Sequence, residues 1–184
     1  TNIPAADMPA ELVRRILHGV KRAIPVGEGH AHPDRQHWAA LDERNANRPG
    51  GVDAHCWDLA YCNLGTLGGG NHFIELQHGD DGRVWMMIHS GSRNLGYRIA
   101  EYYHKLALHL NEKQGVALPD HQLAYLHADA PEGRAYIRDM AFALEYAREN
   151  RRRIMAAFQR EVAHHVRQVR SEERRVGKEC RSRW

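Results

Sequence analysis

The stretch His72–Ser90, HFIELQHGDDGRVWMMIHS, decides how this chain is read. Two apolar-rich runs, His72–Gln77 and Arg83–Ser90, flank HGDDG. Strand-type residues on both sides of a Gly/Asp cluster predict an antiparallel hairpin. With the turn centred between Asp80 and Asp81, His72 falls opposite His89 at the open end. Directly opposed residues carry Cβ atoms about 4.5–5.5 Å apart. Imidazoles that close can bind one metal ion, or each hold one member of a pair roughly 3.5–4 Å apart. They can equally hydrogen-bond nearby carbonyls, and a bulge would shift the register.

The flanks point the same way. Before His72 comes GTLGGGN, with three glycines at Gly68–Gly70. After His89 comes SGSRNLG, followed by a helical pattern. Small residues let backbone N–H groups crowd an anion, and a following helix N-terminus adds partial positive charge. Arg93 brings a planar cation suited to phosphate. Glycine clusters alone mark ordinary turns. A glycine-rich loop and a histidine at both ends of the hairpin's open side together suggest a site handling metal and phosphate. Neither loop is a P-loop, GxxxxGK[ST]. GGGN precedes no helix, which excludes a Rossmann fingerprint.

Farther out, Pro9–Ile24 has Leu12, Val13, Ile16, Leu17 and Val20 at helical spacing. IPVGEGHAHPDRQHW reads as a loop, Trp38–Arg44 as a short helix and Asn47–Asp53 as turns. Leu95–Lys113 is a helix with Ile99, Tyr102, Tyr103, Leu106 and Leu110 on one side, ended by Gly115. Ala135–Val169 is the longest helical pattern, its apolar side running Ile137, Met140, Ala141, Leu144, Ala147, Ile154, Met155, Phe158, Val162, Val166, Val169. The fold class is α+β, with one small sheet and several helices. The Trp, Tyr and Met residues of these elements are expected in the core. Arg151–Arg153 reads as a solvated helix face or an RNA groove. His30, His32 and His37 read as a metal cluster, as a loop beside a phosphate path or as an exposed loop.

Composition sets outer bounds. The 184 residues suffice for a domain with a core. No apolar run approaches the roughly 20 residues of a membrane span, so no membrane partner is implied, and no secretory leader opens the chain. Three cysteines are too few for a disulfide framework, which suggests a reducing cytoplasm. The formal charge is +3, and the last residues, SEERRVGKECRSRW, hold five Lys/Arg against three Glu. Basicity alone therefore makes no case for nucleic acid. Fourteen histidines justify a search for metal ligands.

LGTLGGGNHFIELQ (Leu64–Gln77) and MMIHSGSRNLG (Met86–Gly96), at this separation, resemble the RtcB family of RNA ligases. Weaker similarity extends through PAELVRRILHGVKRAIPVG (Pro9–Gly27) and from Leu118 to Phe158. The resemblance covers roughly residues 9–170, the middle of a longer family member. It implies an RtcB-like fold, here a partial domain over 1–170, with 171–184 an unrelated or disordered tail. It implies GTP- and Mn²⁺-dependent joining of RNA 3′-phosphate or 2′,3′-cyclic phosphate ends to 5′-hydroxyl ends, through a histidine-guanylate intermediate. Its RNA partners are tRNA halves or broken ends. By the same resemblance His72 binds one Mn²⁺ and His89 the second. The segment Asn71, His72, Phe73, Ile74 and Glu75 contacts GTP or GMP, with the Asn71 amide on a phosphate and Glu75 on the base or ribose. Arg93 holds an RNA phosphate.

Departures from the family pattern are equally specific. The family's metal-bridging cysteine lies in an upstream Asp-x-x-Cys segment. Asp53–Cys56, DAHC, has the bare spacing but lies too near the first motif and lacks the glycines. His164–His165 lies inside the helical pattern, not after it. The nucleophilic histidine and the guanylate-binding lysine belong to a C-terminal half and match no residue here. A chain edge lacking Met reads as a fragment boundary, and such a fragment is expected to be inactive alone. Alternatives are a non-catalytic metal- or nucleotide-binding remnant and a different metal-dependent phosphoesterase. The oligomeric state is left open.

Overall fold

A left-handed glycine in the hairpin loop sets the hairpin's geometry. In the computed structural model, which describes residues 1–48 and 51–181 with side chains through 167, β1 (Phe73–His78) pairs antiparallel with β2 (Val84–His89). Gly79 N–H donates to Arg83 O at 2.9 Å, and between them lies the three-residue loop Asp80–Asp81–Gly82. Gly82 has φ +71°, the left-handed residue that a three-residue hairpin loop requires. The Asp81 carboxylate accepts from Arg83 N–H (3.0 Å) and Trp85 Nε1–H (3.2 Å), which hold it below the usual carboxylate range.

This odd loop corrects the expected register by one residue. His89 pairs with Phe73, not with His72, and the ladder continues Ile74↔Ile88, Glu75↔Met87, Leu76↔Met86, Gln77↔Trp85. His72 lies just before the strand.

The chain divides into two compact units, Thr1–His30 with Gly65–His89 and Arg151–Trp184, and Ala31–Leu64 with Ser90–Asn150. In the first, α1 (Ala10–Ala23) buries Leu12, Ile16 and Val20, spaced one helical turn apart, with Ile24 following. These pack with Ile154, Ala157, Phe158 and Val162 of α5 (Pro131–Arg181) and with Leu67. Ile74, Leu76, Met86 and Ile88 lay one face of the hairpin on that core. Gly19 permits a close approach, since a Cβ there would lie 2.0 Å from Glu161 Oε2. The triple-glycine loop pairs with the end of the α1 connection. Gly27 N–H donates to Gly68 O at 3.0 Å, and Leu67 N–H to Pro25 O at 3.0 Å. A Cβ on Gly69 would meet the Glu28 backbone N at 3.0 Å. That close approach is therefore made by the chain itself.

The second unit gathers α2 (Ala39–Ala46), α3 (Ala54–Asn63), α4 (Leu95–Lys113) and the start of α5. Leu41, Trp57, Tyr61, Leu95, Ile99, Tyr103, Phe142 and Tyr146 form its core. Tyr146 O–H donates to Ala60 O at 2.6 Å. The Asp139 carboxylate, 1% exposed, accepts from Tyr103 O–H at 2.7 Å and from the Arg44 guanidinium.

Two further expectations are corrected. α5 is longer than Ala135–Val169, and only its N-terminal part is rotated from the expected apolar stripe, since Ala147, Ile154, Phe158 and Val162 of that stripe are buried as expected. Ile137, Met140 and Leu144 are exposed, whereas Asp139, Phe142, Ala143, Tyr146 and Asn150 are buried. Not every Trp, Tyr and Met is core either. Trp85, Met87 and Tyr97 are exposed, because strand alternation and helix rotation place them away from the packed faces. The expected change of character at 171 falls on side chains outside the described residues, although the backbone is helical to Arg181.

Candidate metal and nucleotide site

The hairpin's outer face carries the candidate chemistry. With even-numbered positions on the core, Phe73, Glu75, Gln77, Trp85, Met87 and His89 occupy the opposite face. The Phe73 and His89 rings stack, with centroids 5.4 Å apart and 20° between planes. Despite the shifted register, the His72 and His89 ring centroids are 5.8 Å apart, tilted by 55°. Leaving the strand at His72 swings that imidazole back toward its expected partner. Gln77 Nε2–H donates to Glu75 Oε2 at 2.8 Å. Ile74 faces the core, so its backbone alone belongs with the outer-face group.

Two imidazoles form a share of a coordination sphere for a first-row ion, whose remaining positions other donors must fill. Among the described residues, no group of three or more His, Cys, Asp or Glu side chains is placed to hold an ion. His30 Nδ1 lies 3.1 Å from Glu28 O, and His37 Nδ1 lies 3.0 Å from Asp42 Oδ2. His165 lies within α5, 3.7 Å from Glu161 Oε2.

Asp53–Cys56 has a structural use. Asp53 is the N-cap of α3, its carboxylate accepting from His55 N–H at 3.1 Å, which satisfies one of the helix's orphan donors. Burial pushes the Cys56 thiol above its ordinary value, opposed by the charge of Arg98. A raised pKa means less thiolate at any given pH. Alkylation of Cys56 is therefore expected to run slower than that of free cysteine at pH 8, with its rate profile displaced to higher pH. Mass-resolved iodoacetamide labelling reads this.

In the second unit the SGSRNLG loop is held from beneath. Asn150, fully buried, donates its amide to Ser90 Oγ (3.1 Å) and Gly91 O (3.2 Å). Arg93 and Asn94 are left-handed, at φ 51° and 73°. Non-glycine residues there cost energy and need surrounding contacts to hold them. Ser92 Oγ accepts from Gly96 N–H at 3.1 Å. Half-burial pulls the Arg93 guanidinium below its ordinary value, and it remains a cation at neutral pH. Asn150→Leu strips the support for Ser90 and Gly91 and is expected to cost about 1–3 kcal/mol, read by urea denaturation. Only the residue pattern around Arg93 was visible in sequence; Asn150, some sixty positions away, carried no local signal.

A family profile described as tRNA-splicing ligase RtcB matches residues 2–180. The chain belongs to the RtcB family. It is 33% identical over 166 residues to a tRNA-splicing ligase RtcB of Archaeoglobus fulgidus, covering 83% of this chain and 34% of that protein. It is 31% identical to RNA-splicing ligases RtcB of Mycobacterium tuberculosis and Escherichia coli K12, covering 80% and 84% of this chain and 44% and 41% of those proteins. The chain thus spans less than half the length of these RtcB relatives. Among the described residues no helix is long and apolar enough to cross a membrane.

Proposed function

We propose that this chain carries part of the centre of a GTP- and Mn²⁺-dependent RNA ligase, acting on RNA ends that bear a 3′-phosphate or 2′,3′-cyclic phosphate and a 5′-hydroxyl. The observation that carries this reading is the grouping of His72, His89, Phe73 and Glu75 at the open end and outer face of one hairpin. The relatives, tRNA-splicing and RNA-splicing ligases, supply the reaction class.

In this reading His72 and His89 would each hold one Mn²⁺, and the ions would supply charge neutralisation at phosphate oxygens. Asn71 donates its amide to a phosphate of the guanylate. Phe73, stacked on His89, fixes that ring's plane. Glu75 accepts hydrogen bonds from the base or ribose. Arg93, four residues beyond His89, pairs its planar guanidinium with an RNA phosphate. The support from Asn150 keeps that loop from needing to order when RNA arrives.

The test is GMP binding by calorimetry with Mn²⁺ present. Asn71→Ala is expected to weaken it by about tenfold, the value of one hydrogen bond to a charged group. Unchanged affinity would remove Asn71 from the site, and no GMP binding by the unaltered chain would contradict the reading.

A further inference from the structure

We propose that Gln77 and Met87 complete a guanine-reading patch around Glu75, with Gln77 positioning the carboxylate and Met87 supplying the surface on which the base lies. This rests on the nucleotide reading above. Three observations carry it. Met87 is the direct cross-strand partner of Glu75, so the two side chains stand side by side on the outer face. Met87 is 44% exposed, a large apolar group left open. Gln77 Nε2 touches both, donating to Glu75 Oε2 at 2.8 Å and lying 3.6 Å from Met87 Sδ. One amide therefore ties the carboxylate to the thioether.

Donor and acceptor chemistry selects the base. A carboxylate offers about four lone-pair sites, of which Gln77 uses one. Guanine presents N1–H and its 2-amino group as adjacent donors, a match for two carboxylate oxygens. Adenine turns an acceptor, N1, toward the same place, which sets lone pair against lone pair. Hypoxanthine keeps N1–H but lacks the 2-amino group. The polarizable thioether of Met87 packs favourably on an aromatic face without regard to which purine it is. Edge recognition and stacking are thereby divided between two residues.

That division gives distinct signatures in titrations of GMP, IMP and AMP against the full chain with Mn²⁺. The unaltered chain is expected to prefer GMP over IMP by about tenfold, one charge-assisted hydrogen bond, and to bind AMP most weakly. Gln77→Leu is expected to bring the GMP/IMP ratio to within about twofold, because the carboxylate is no longer aimed. Met87→Ala is expected to weaken GMP and IMP by the same factor and leave the ratio intact. Both positions lie on the open face, and circular dichroism checks that the variants fold. Mn²⁺ affinity without nucleotide should be unchanged in both. A GMP/IMP ratio unaffected by Gln77→Leu, with GMP still bound, would overturn this proposal while sparing the broader reading. Failure of the unaltered chain to bind GMP would overturn both.

Discussion

His89→Ala is expected to weaken Mn²⁺ binding by at least the roughly tenfold that loss of even a supporting residue costs a metal site, and His72→Ala to do the same. The two rings lie 5.8 Å apart by centroid, one at the strand's end and one just before its partner strand. Their equivalence follows from the proposal that each holds one ion of a pair. His78→Ala supplies the control, since His78 sits at the turn end of the hairpin. Because imidazole ligates only as the neutral base, affinity should fall as the medium is acidified, with protons displaced on binding. Titration calorimetry in buffers of different ionisation heat measures both quantities. Unchanged affinity in both variants would remove the hairpin from metal binding.

A large stability effect is expected at Asp139, in the second unit. Its carboxylate is almost wholly buried and accepts from Tyr103 and Arg44. Arg44 is itself largely buried, and burial, followed by the nearby charge of Arg138, pulls its guanidinium below its ordinary value. Asp139→Ala leaves that cation uncompensated and the Tyr103 hydroxyl without its acceptor. The cost of breaking one side of such a pair is about 3–5 kcal/mol, a large share of a domain's total of roughly 5–15 kcal/mol. Replacing both partners, as in Arg44→Met with Asp139→Leu, removes the stranded charge and should recover most of the loss. Denaturant midpoints read this. A loss under about 1 kcal/mol for Asp139→Ala would show that water reaches Arg44 and that the pair behaves as a surface one.

Asp139 also shows where sequence reading stops. Hydrophobic spacing located α1 and α4 because their buried residues are aliphatic or aromatic and recur each turn. In α5 the buried face includes Asp139 and Asn150, whose partners lie on other elements, while Ile137, Met140 and Leu144 form a competing exposed stripe. Periodicity followed the stripe. α3 has no counterpart in the sequence reading although Trp57, Ala60, Tyr61 and Leu64 recur at helical spacing, because the DAHC spacing of Asp53 and Cys56 reads as a metal-donor pattern. Asp53 is instead the cap that starts the helix.

The hairpin is the intermediate case. Its existence was legible from the two strand-type runs flanking HGDDG. Its register was not, since GDDG permits an even or an odd loop, and Gly82 in the left-handed region selects the odd one. The proximity of His72 and His89 survived the one-residue shift because His72 has already left the ladder. Gln77 and Met87 lie inside the two motifs, which attach no role to either. Their placement depends on that register, which puts Met87 beside Glu75 rather than beside Ile74.

The central claim, that the hairpin's open end is a Mn²⁺ site adjoining a nucleotide face, is tested most directly by paramagnetic broadening in the NMR spectrum of the full chain. Substoichiometric Mn²⁺ is predicted to broaden the ring signals of His72, His89 and Phe73 first, with Glu75 next and the turn at Gly79–Arg83 spared. Broadening centred instead on His30, His37 or His165, or none above that of bulk solvent, would contradict it.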